Sequence, residues 1–219
     1  MMAFTTHCCK SLRRSPGVWL LVLLLWGWAV LSHAQTSTPT TTSTSSSVDL
    51  TELRLERADK SLLLNSALRL ELGSSLEDAL LKGVAIHFVV QADVYRDRWY
   101  WSDQHLASVS RYYRLLYQPL TRRWRLSMSR EPLSANALGN SLSQNFDSLT
   151  EALALVRRVY GWPVVDVAEL SRSAHYYVRY QFRLDVNQLP RPFQISTGAQ
   201  SDWNLGVSRE LGVGTDLLQ

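Results

Sequence analysis

Alternation of apolar and polar residues is the dominant pattern of the sequence, and it is strictest over residues 174–186. Successive side chains of a β-strand point to opposite faces of a sheet, so such a segment buries one face and exposes the other. Residues 84–95 repeat the pattern, and even-numbered leucines continue it between Leu62 and Leu72. These segments therefore predict amphipathic strands. The apolar phase of the strictest segment comprises Ala174, Tyr176, Val178, Tyr180, Phe182, Leu184 and Val186.

A further pair of strands is predicted on either side of the sequence QPLT, over about residues 108–117 and 123–128. Pro119 suits the second position of a tight turn, because its ring already holds the backbone angle φ that this position requires. Half-buried strands joined by short turns are typical of antiparallel sheets. The pattern predicts a mainly β fold, an antiparallel β-sandwich or a curled sheet, with two short α-helices.

The two helices are predicted from their start and stop signals. The sequence SSLED at residues 74–78 begins the first helix, and Gly83 ends it. Ser148 and Glu151 form a capping box that begins the second helix, and the sequence GWP is expected to end it. The apolar face of this second helix is expected to carry Leu149, Ala152, Leu153, Val156 and Val159.

The first 34 residues have the anatomy of a secretory signal peptide. Basic residues precede an apolar run over residues 18–31, and the small residues Ser32 and Ala34 follow it. We predict cleavage after Ala34 and a periplasmic product. The alternative is an uncleaved segment that tethers the chain to the inner membrane, although a membrane-spanning helix needs about 20 apolar residues.

Composition changes after the predicted cleavage site. Residues 35–47 are Ser/Thr-rich and offer no side chain to a core, so they predict a disordered linker, followed by a single β-rich domain over residues 48–219. Loss of residues 1–34 removes three basic residues and both cysteines, which leaves 20 basic against 19 acidic residues, a net charge of +1. A nucleic-acid partner is therefore not expected, and disulfides are excluded from the predicted domain.

Candidate catalytic and metal-binding residues are scattered along the sequence. Outside the predicted signal peptide the histidines are His87, His105 and His175, and none stands in a spacing typical of a metal site. His87 and His175 occupy the polar phase of their strands and are interpreted as solvated, although they could meet if those strands were neighbours. The sequence also lacks a nucleophile elbow and a phosphate-binding glycine loop. We predict no catalytic residue, no metal and no cofactor.

The sequence VYRDRWYW, residues 94–101, allows two interpretations. The favoured one is that Trp99, Tyr100 and Trp101 close a corner of the core, and the other is that they form a shelf for a ligand or a partner. That candidate surface would comprise Arg96, Arg98, Trp99, Tyr100 and Trp101, joined by His175, Arg179 and Arg183 from the polar face of the 174–186 strand.

Several longer stretches carry a resemblance to a known family. The sequences GVAIHFVVQADVYRDRWYW, YRLLYQPLTRRWRLS, FDSLTEAL, LDVNQLPRPFQI and DWNL occur in this order. In them the chain resembles the exported proteobacterial domain-of-unknown-function family numbered 4390, from about Leu68 to Leu205. The resemblance implies export and a compact domain, and members of the family are often encoded beside a nitrogen-regulation-type sensor kinase and its response regulator. It implies no activity and no catalytic residue.

The sequence after DWNL departs from the family pattern, in which a last aromatic strand is expected. GVSRELGVGTDLLQ, residues 206–219, is rich in glycine and weakly patterned, so its structure stays open. For function we predict a non-enzymatic periplasmic module that binds a partner, and the resemblance suggests the extracytoplasmic part of a sensor kinase. The alternative is an envelope enzyme or a sugar-binding protein that uses the shelf around Trp99–Trp101. Membrane contact is expected only through an uncleaved N-terminal segment.

Overall fold

Two antiparallel sheets make up most of the computed structural model, which describes residues 45–100, 102–133, 141–191 and 203–218. All of these residues belong to a unit that spans Ser43–Gln219. The strands of the described residues are β1 (Ser47–Ala58), β2 (Ser61–Glu71), β3 (Ile86–Arg96), β4 (Gln104–Gln118), β5 (Arg123–Ser129), β6 (Leu142–Phe146), β7 (Arg158–Asp166), β8 (Tyr176–Leu184) and β9 (Gly206–Gly212), and the two α-helices that they contain in full are α1 (Ser74–Leu81) and α2 (Leu149–Arg157).

The smaller sheet has the strand order β1-β2-β7, and the larger has the order β6-β5-β4-β3-β8-β9. Each neighbouring pair in the two sheets runs antiparallel. The predicted pair around QPLT is β4 and β5, in which Gln118 lies opposite Arg123. The prediction of a mainly β, antiparallel fold with two short helices is therefore confirmed.

The core forms where one face of β2 meets the faces of β3 and β8 that carry their even-numbered residues. The buried side chains of the three strands belong to one hydrophobic cluster, in which the rings of Phe88 and Phe182 stack with 5.6 Å between their centres. Ser66 interrupts the leucine series of β2 and donates a hydrogen bond of 3.3 Å to the buried hydroxyl of Tyr180. This contact joins the two sheets and gives both buried hydroxyls a partner, which matters because an unpaired one costs about 1 to 3 kcal/mol.

The second helix begins where the capping box predicts, but its end was predicted wrongly. Ser148 Oγ accepts a hydrogen bond of 3.2 Å from the backbone N–H of Glu151, at the start of α2. The helix ends at Arg157, and β7 begins at the next residue. Val159 and the sequence GWP therefore lie in a strand, where Val159 is buried. Pro163 is tolerated because β7 is an edge strand of its sheet.

Residues 206–212, whose structure the sequence pattern left open, form β9 and pair with β8 along their whole length. This pairing rests on main-chain hydrogen bonds, so it does not need the aromatic pattern that the family resemblance led us to expect. Val207 and Leu211 are half-buried on the core side, and Leu218 near the end of the described residues is buried.

Gly161 marks an irregularity between β2 and β7. Its φ is +56°, its N–H donates a hydrogen bond of 2.7 Å to Asn65 Oδ1, and the pairing register shifts between Leu64 and Ser66. A residue with a Cβ atom pays about 1 to 2 kcal/mol in this left-handed conformation.

We expect Gly161→Ala to lower the free energy of unfolding by about 1 to 2 kcal/mol. Gly212→Ala is the matched control, because Gly212 also lies in a strand, does not have a positive φ, and has space for a Cβ atom, which would meet nothing within 4 Å. Urea denaturation measures both variants. Equal stabilities of the two would contradict this account of Gly161.

Candidate functional site

Aromatic and basic side chains gather at one end of the outer, solvent-facing side of the larger sheet. Tyr95 on β3 lies opposite Tyr177 on β8, and their rings stack with 5.3 Å between centres and 15° between planes. The guanidinium carbon of Arg179 lies 4.7 Å from the centre of the Tyr95 ring, and Arg179 Nε donates to Glu210 Oε1 at 2.9 Å. A cation over an aromatic ring contributes about 0.5 to 1 kcal/mol at an exposed site. We call Tyr95, Tyr177 and Arg179 the Tyr–Arg patch.

A nearly buried carboxylate, that of Asp93, lies beside the Tyr–Arg patch. Its Oδ1 accepts a hydrogen bond of 2.6 Å from Ser108 Oγ and lies 3.6 Å from His105 Nε2. Gln91 Nε2 lies 3.1 Å from each of its two oxygens. In a serine hydrolase the histidine stands between the serine and the carboxylate, whereas here Ser108 donates directly to Asp93. The arrangement ties β3 to β4 and does not activate the Ser108 hydroxyl.

The loop between β3 and β4 is anchored to β8. The backbone N–H of Asp97 donates a hydrogen bond of 3.0 Å to the carbonyl of His175, and Tyr177 Oη donates one of 2.7 Å to Asp103 Oδ2. The backbone N–H of Arg98 lies 3.4 Å from the other oxygen of Asp103. Burial and the hydrogen bond to Asp103 raise the pKa of Tyr177 to about 12, so the phenol keeps its proton and remains a donor at neutral pH.

Two aromatic side chains of this loop project into solvent. Trp99 is 93% exposed and Tyr100 is 68% exposed, and their rings meet edge to face with 5.2 Å between centres. The interpretation that they close the core is therefore wrong for both residues, and Trp101 lies outside the described residues. The reason is the direction of the loop, which the hydrogen bond between Tyr177 and Asp103 holds on the outer side of the sheet.

The structure separates two of the predicted surface residues from the rest. Arg96 lies opposite the buried Tyr176 and so continues the core side of β3, away from the outer face. Arg183 lies four residues beyond Arg179 on β8, a distance of about 13 Å along the strand. The predicted residues that lie together, on the loop or beside it on β8, are Arg98, Trp99, Tyr100, His175 and Arg179.

The two histidines that were considered as a pair do not meet, although β3 and β8 are neighbours. The carbonyl of His87 accepts from Asp185 at one end of the strands, and the carbonyl of His175 accepts from Asp97 at the other. His175 is exposed, but His87 is only 9% exposed, so its interpretation as a solvated residue is wrong. In the described part of the chain, no three His, Cys, Asp or Glu side chains stand close enough to hold a metal ion.

Sequence reasoning did not single out Tyr95, Asp103, His105 and Glu210 as members of the surface. Tyr95, His105 and Glu210 become neighbours through strand pairing, since Tyr95 lies opposite both His105 and Tyr177 and Arg179 lies opposite Glu210. Asp103 precedes β4 and joins them through the hydrogen bond from Tyr177. The alternating pattern assigns a side chain to a face, but it does not say which strand lies alongside. A covarying pair in an alignment is the signal that would find them.

The comparison with known protein families decides the membership of the chain. The family model described as Domain of unknown function (DUF4390) matches residues 45–210. The chain belongs to this family. The match begins just before β1 and ends within β9, so the whole of the surface described above lies inside the family's domain. No curated protein and no solved structure matches the chain. Among the described residues, no helix is long and apolar enough to cross a membrane.

His87 makes the stability of the fold depend on pH. Burial, and next the charge of Arg114, lower its pKa to about 4, while Asp185 acts in the opposite direction. A histidine in an unfolded chain titrates near pH 6.5, so the unfolded state binds more protons between about pH 4 and pH 6.5. The free energy of unfolding must therefore fall as the pH is lowered through this window.

We expect His87 to account for a loss of up to about 3 kcal/mol between pH 7 and pH 4. In His87→Gln this part of the pH dependence should disappear, whereas His175→Gln, at an exposed position, should keep it. Urea denaturation at several pH values compares the three proteins. The same slope in His87→Gln as in the unmodified chain would contradict the assignment.

Proposed function

We propose that the chain is an exported, non-enzymatic module that binds a partner protein through Trp99, Tyr100 and the adjoining Tyr–Arg patch. The observation that carries this proposal is the exposure of two large aromatic side chains on a loop that is itself held in place. Trp, Tyr and Arg are the residues that contribute most to the binding energy of protein interfaces. A solvent-exposed cluster of these three residue types is typical of a binding surface.

The anchoring of the loop supports a preformed surface. Binding costs free energy when loops and side chains become ordered, and a surface that is ordered beforehand avoids part of this cost. Asp103 holds the loop through Tyr177, and Asp97 holds it through the carbonyl of His175. The stacked rings of the Tyr–Arg patch are also held in place, because the guanidinium group of Arg179 lies over the Tyr95 ring. Glu210 in turn accepts a hydrogen bond from Arg179. A partner would therefore meet a loop and a Tyr–Arg patch that are already held in place.

The partner and the compartment are proposed on other grounds. The basic, apolar and small residues of positions 1–34 favour export to the periplasm, with cleavage after Ala34. The frequent gene neighbourhood of the family, with a sensor kinase, favours the extracytoplasmic part of that kinase as the partner. This second argument is an association and not a contact, so the experiment below tests it directly.

A sugar-binding function is the second candidate, and the exposure of Trp99 favours it as well. An exposed indole ring can stack on the apolar face of a sugar ring, and nearby carboxylates usually bind the sugar hydroxyls. One carboxylate of the loop, that of Asp103, already accepts hydrogen bonds from Tyr177 and from the backbone of Arg98. For this reason we place the protein partner first.

The binding of the purified chain to the extracytoplasmic part of the neighbouring kinase, followed by calorimetry, tests the proposal. We expect Trp99→Ala or Tyr100→Ala to weaken binding by about 30-fold or more, the effect of a residue that dominates an interface. Neither change should alter the free energy of unfolding by more than about 0.5 kcal/mol, because both side chains are exposed. Leu120→Ala is the control, since Leu120 is fully exposed at the far end of β4.

Three results separate the possibilities. Unchanged affinity in both aromatic variants would contradict the proposed surface. Absence of any binding by the unmodified chain would reject this kinase as the partner. A change of tryptophan fluorescence on addition of a soluble oligosaccharide, lost in Trp99→Ala, would favour the sugar-binding alternative.

A further inference from the structure

We propose that the chain has a second binding site, for a phosphate-type oxyanion, formed by Arg114, Arg125, Ser127 and Ser143 on the outer side of β4, β5 and β6. Arg114 lies nine residues from His105 along β4, so the site is about 30 Å from the Tyr–Arg patch. It is independent of the partner-binding surface, and neither proposal depends on the other.

The pairing of the strands brings these side chains to one place. Ser127 lies opposite Arg114 on one side and opposite Ser143 on the other, and Arg125 lies opposite Leu116. Arg114 and Arg125 are therefore diagonal neighbours, which lie about 7 to 8 Å apart in such an arrangement. Two long guanidinium side chains at this spacing can converge on one small ligand.

A small cleft lies between these side chains. Its volume is about 110 Å³, and it is lined by Arg114, Leu116, Arg125, Ser127, Ser141 and Ser143. Clefts that bind larger organic ligands have volumes of about 300 to 1,000 Å³, so this one suits a small ion or a single charged group. Ser127 is buried at the bottom of the cleft. Arg125 and Ser143 are exposed at the rim of the cleft, which is therefore open to solvent.

The chemistry of the lining fits an oxyanion. Guanidinium groups bind phosphate through pairs of parallel N–H donors, which makes arginine the usual residue for this recognition. The hydroxyls of Ser127 and Ser143 lie 2.7 Å apart, so one of them donates to the other, and the second hydroxyl keeps a proton for an additional acceptor. None of the six residues that line the cleft is acidic.

The two arginines also lack a carboxylate partner within the described residues. The ion pairs found there involve Arg54, His105, Arg123 and Arg179, and none includes Arg114 or Arg125. Two cations at this spacing repel each other, and a bound anion between them would turn the repulsion into two favourable contacts. This uncompensated pair distinguishes the cleft from Arg179, whose charge is already matched by Glu210.

His87 provides a built-in reporter of anion binding. It lies opposite Arg114 on the neighbouring strand, and the charge of Arg114 contributes to lowering its pKa, whereas Asp185 opposes this effect. A bound oxyanion would offset the charge of Arg114, so the pKa of His87 should rise when the site is occupied. The imidazole resonances of His87 report this change without any assay of activity.

Titration of the full chain with inorganic phosphate tests the site, followed by calorimetry and by the imidazole resonances of His87. We expect saturable binding, and we expect Arg114→Gln and Arg125→Gln each to raise Kd about tenfold or more, since each removes a charge-assisted hydrogen bond. Arg125 is exposed, so its replacement should not disturb folding. Arg209→Gln, an exposed arginine on β9 at the other edge of the sheet, is the control and should change Kd by less than about twofold.

Two results would overturn the proposal. One is the absence of saturable binding at phosphate concentrations of about tens of millimolar, with sodium chloride of equal ionic strength as reference. The other is an equal Kd in Arg114→Gln, Arg125→Gln and Arg209→Gln. Vesicles that contain phosphatidylglycerol then identify the source of the group: competition with free phosphate supports a lipid headgroup, and phosphate binding without competition supports the free anion.

Discussion

The burial of one face of each sheet against the other is the constraint on which the rest of the structure depends. Because the even-numbered residues of β3 and β8 must face the core, their odd-numbered residues must face outward, and a slip of one residue would exchange the two sets. Phe88 and Phe182 stack inside, and Ser66 donates to Tyr180 between the sheets. Tyr95, Tyr177 and Arg179 therefore lie side by side on the outer face as a consequence of core packing.

The sequence predicts those strands in which apolar and polar residues alternate and the apolar residues are buried in the core. In β2 and β8 the more and the less buried side chains alternate along the strand as predicted, whereas β3 also buries His87, Val89 and Asp93 on its outer side. In β1 the register shifts between Leu50 and Glu52, so its apolar residues change phase and no regular alternation remains. No loop residue separates α2 from β7, so the sequence carries no turn signal at the end of the helix. Strand β9 is held by main-chain pairing, which leaves little trace in side-chain type.

The candidate site shows the same limit at the level of single residues. Residue type alone drew attention to Trp99, Tyr100 and Arg179, but it favoured burial for the two aromatic residues. Their exposure depends on the direction of a loop, and that direction depends on Asp103 meeting Tyr177 from a different strand. Likewise, the cleft of Arg114 and Arg125 exists only because β4 and β5 pair in one particular register. Contacts of this kind are set by strand order and pairing, and a single sequence does not specify them.

The central claim is that the free chain already holds the aromatic loop in place, and residue-resolved amide hydrogen exchange tests it most directly. The N–H of Asp97 donates to the carbonyl of His175. The account predicts that this amide exchanges at least about a hundredfold more slowly than in an unstructured peptide, as expected for a hydrogen bond that opens only by local unfolding. Exchange of the Asp97 amide at the unprotected rate, while the amides of β3 stay protected, would contradict it.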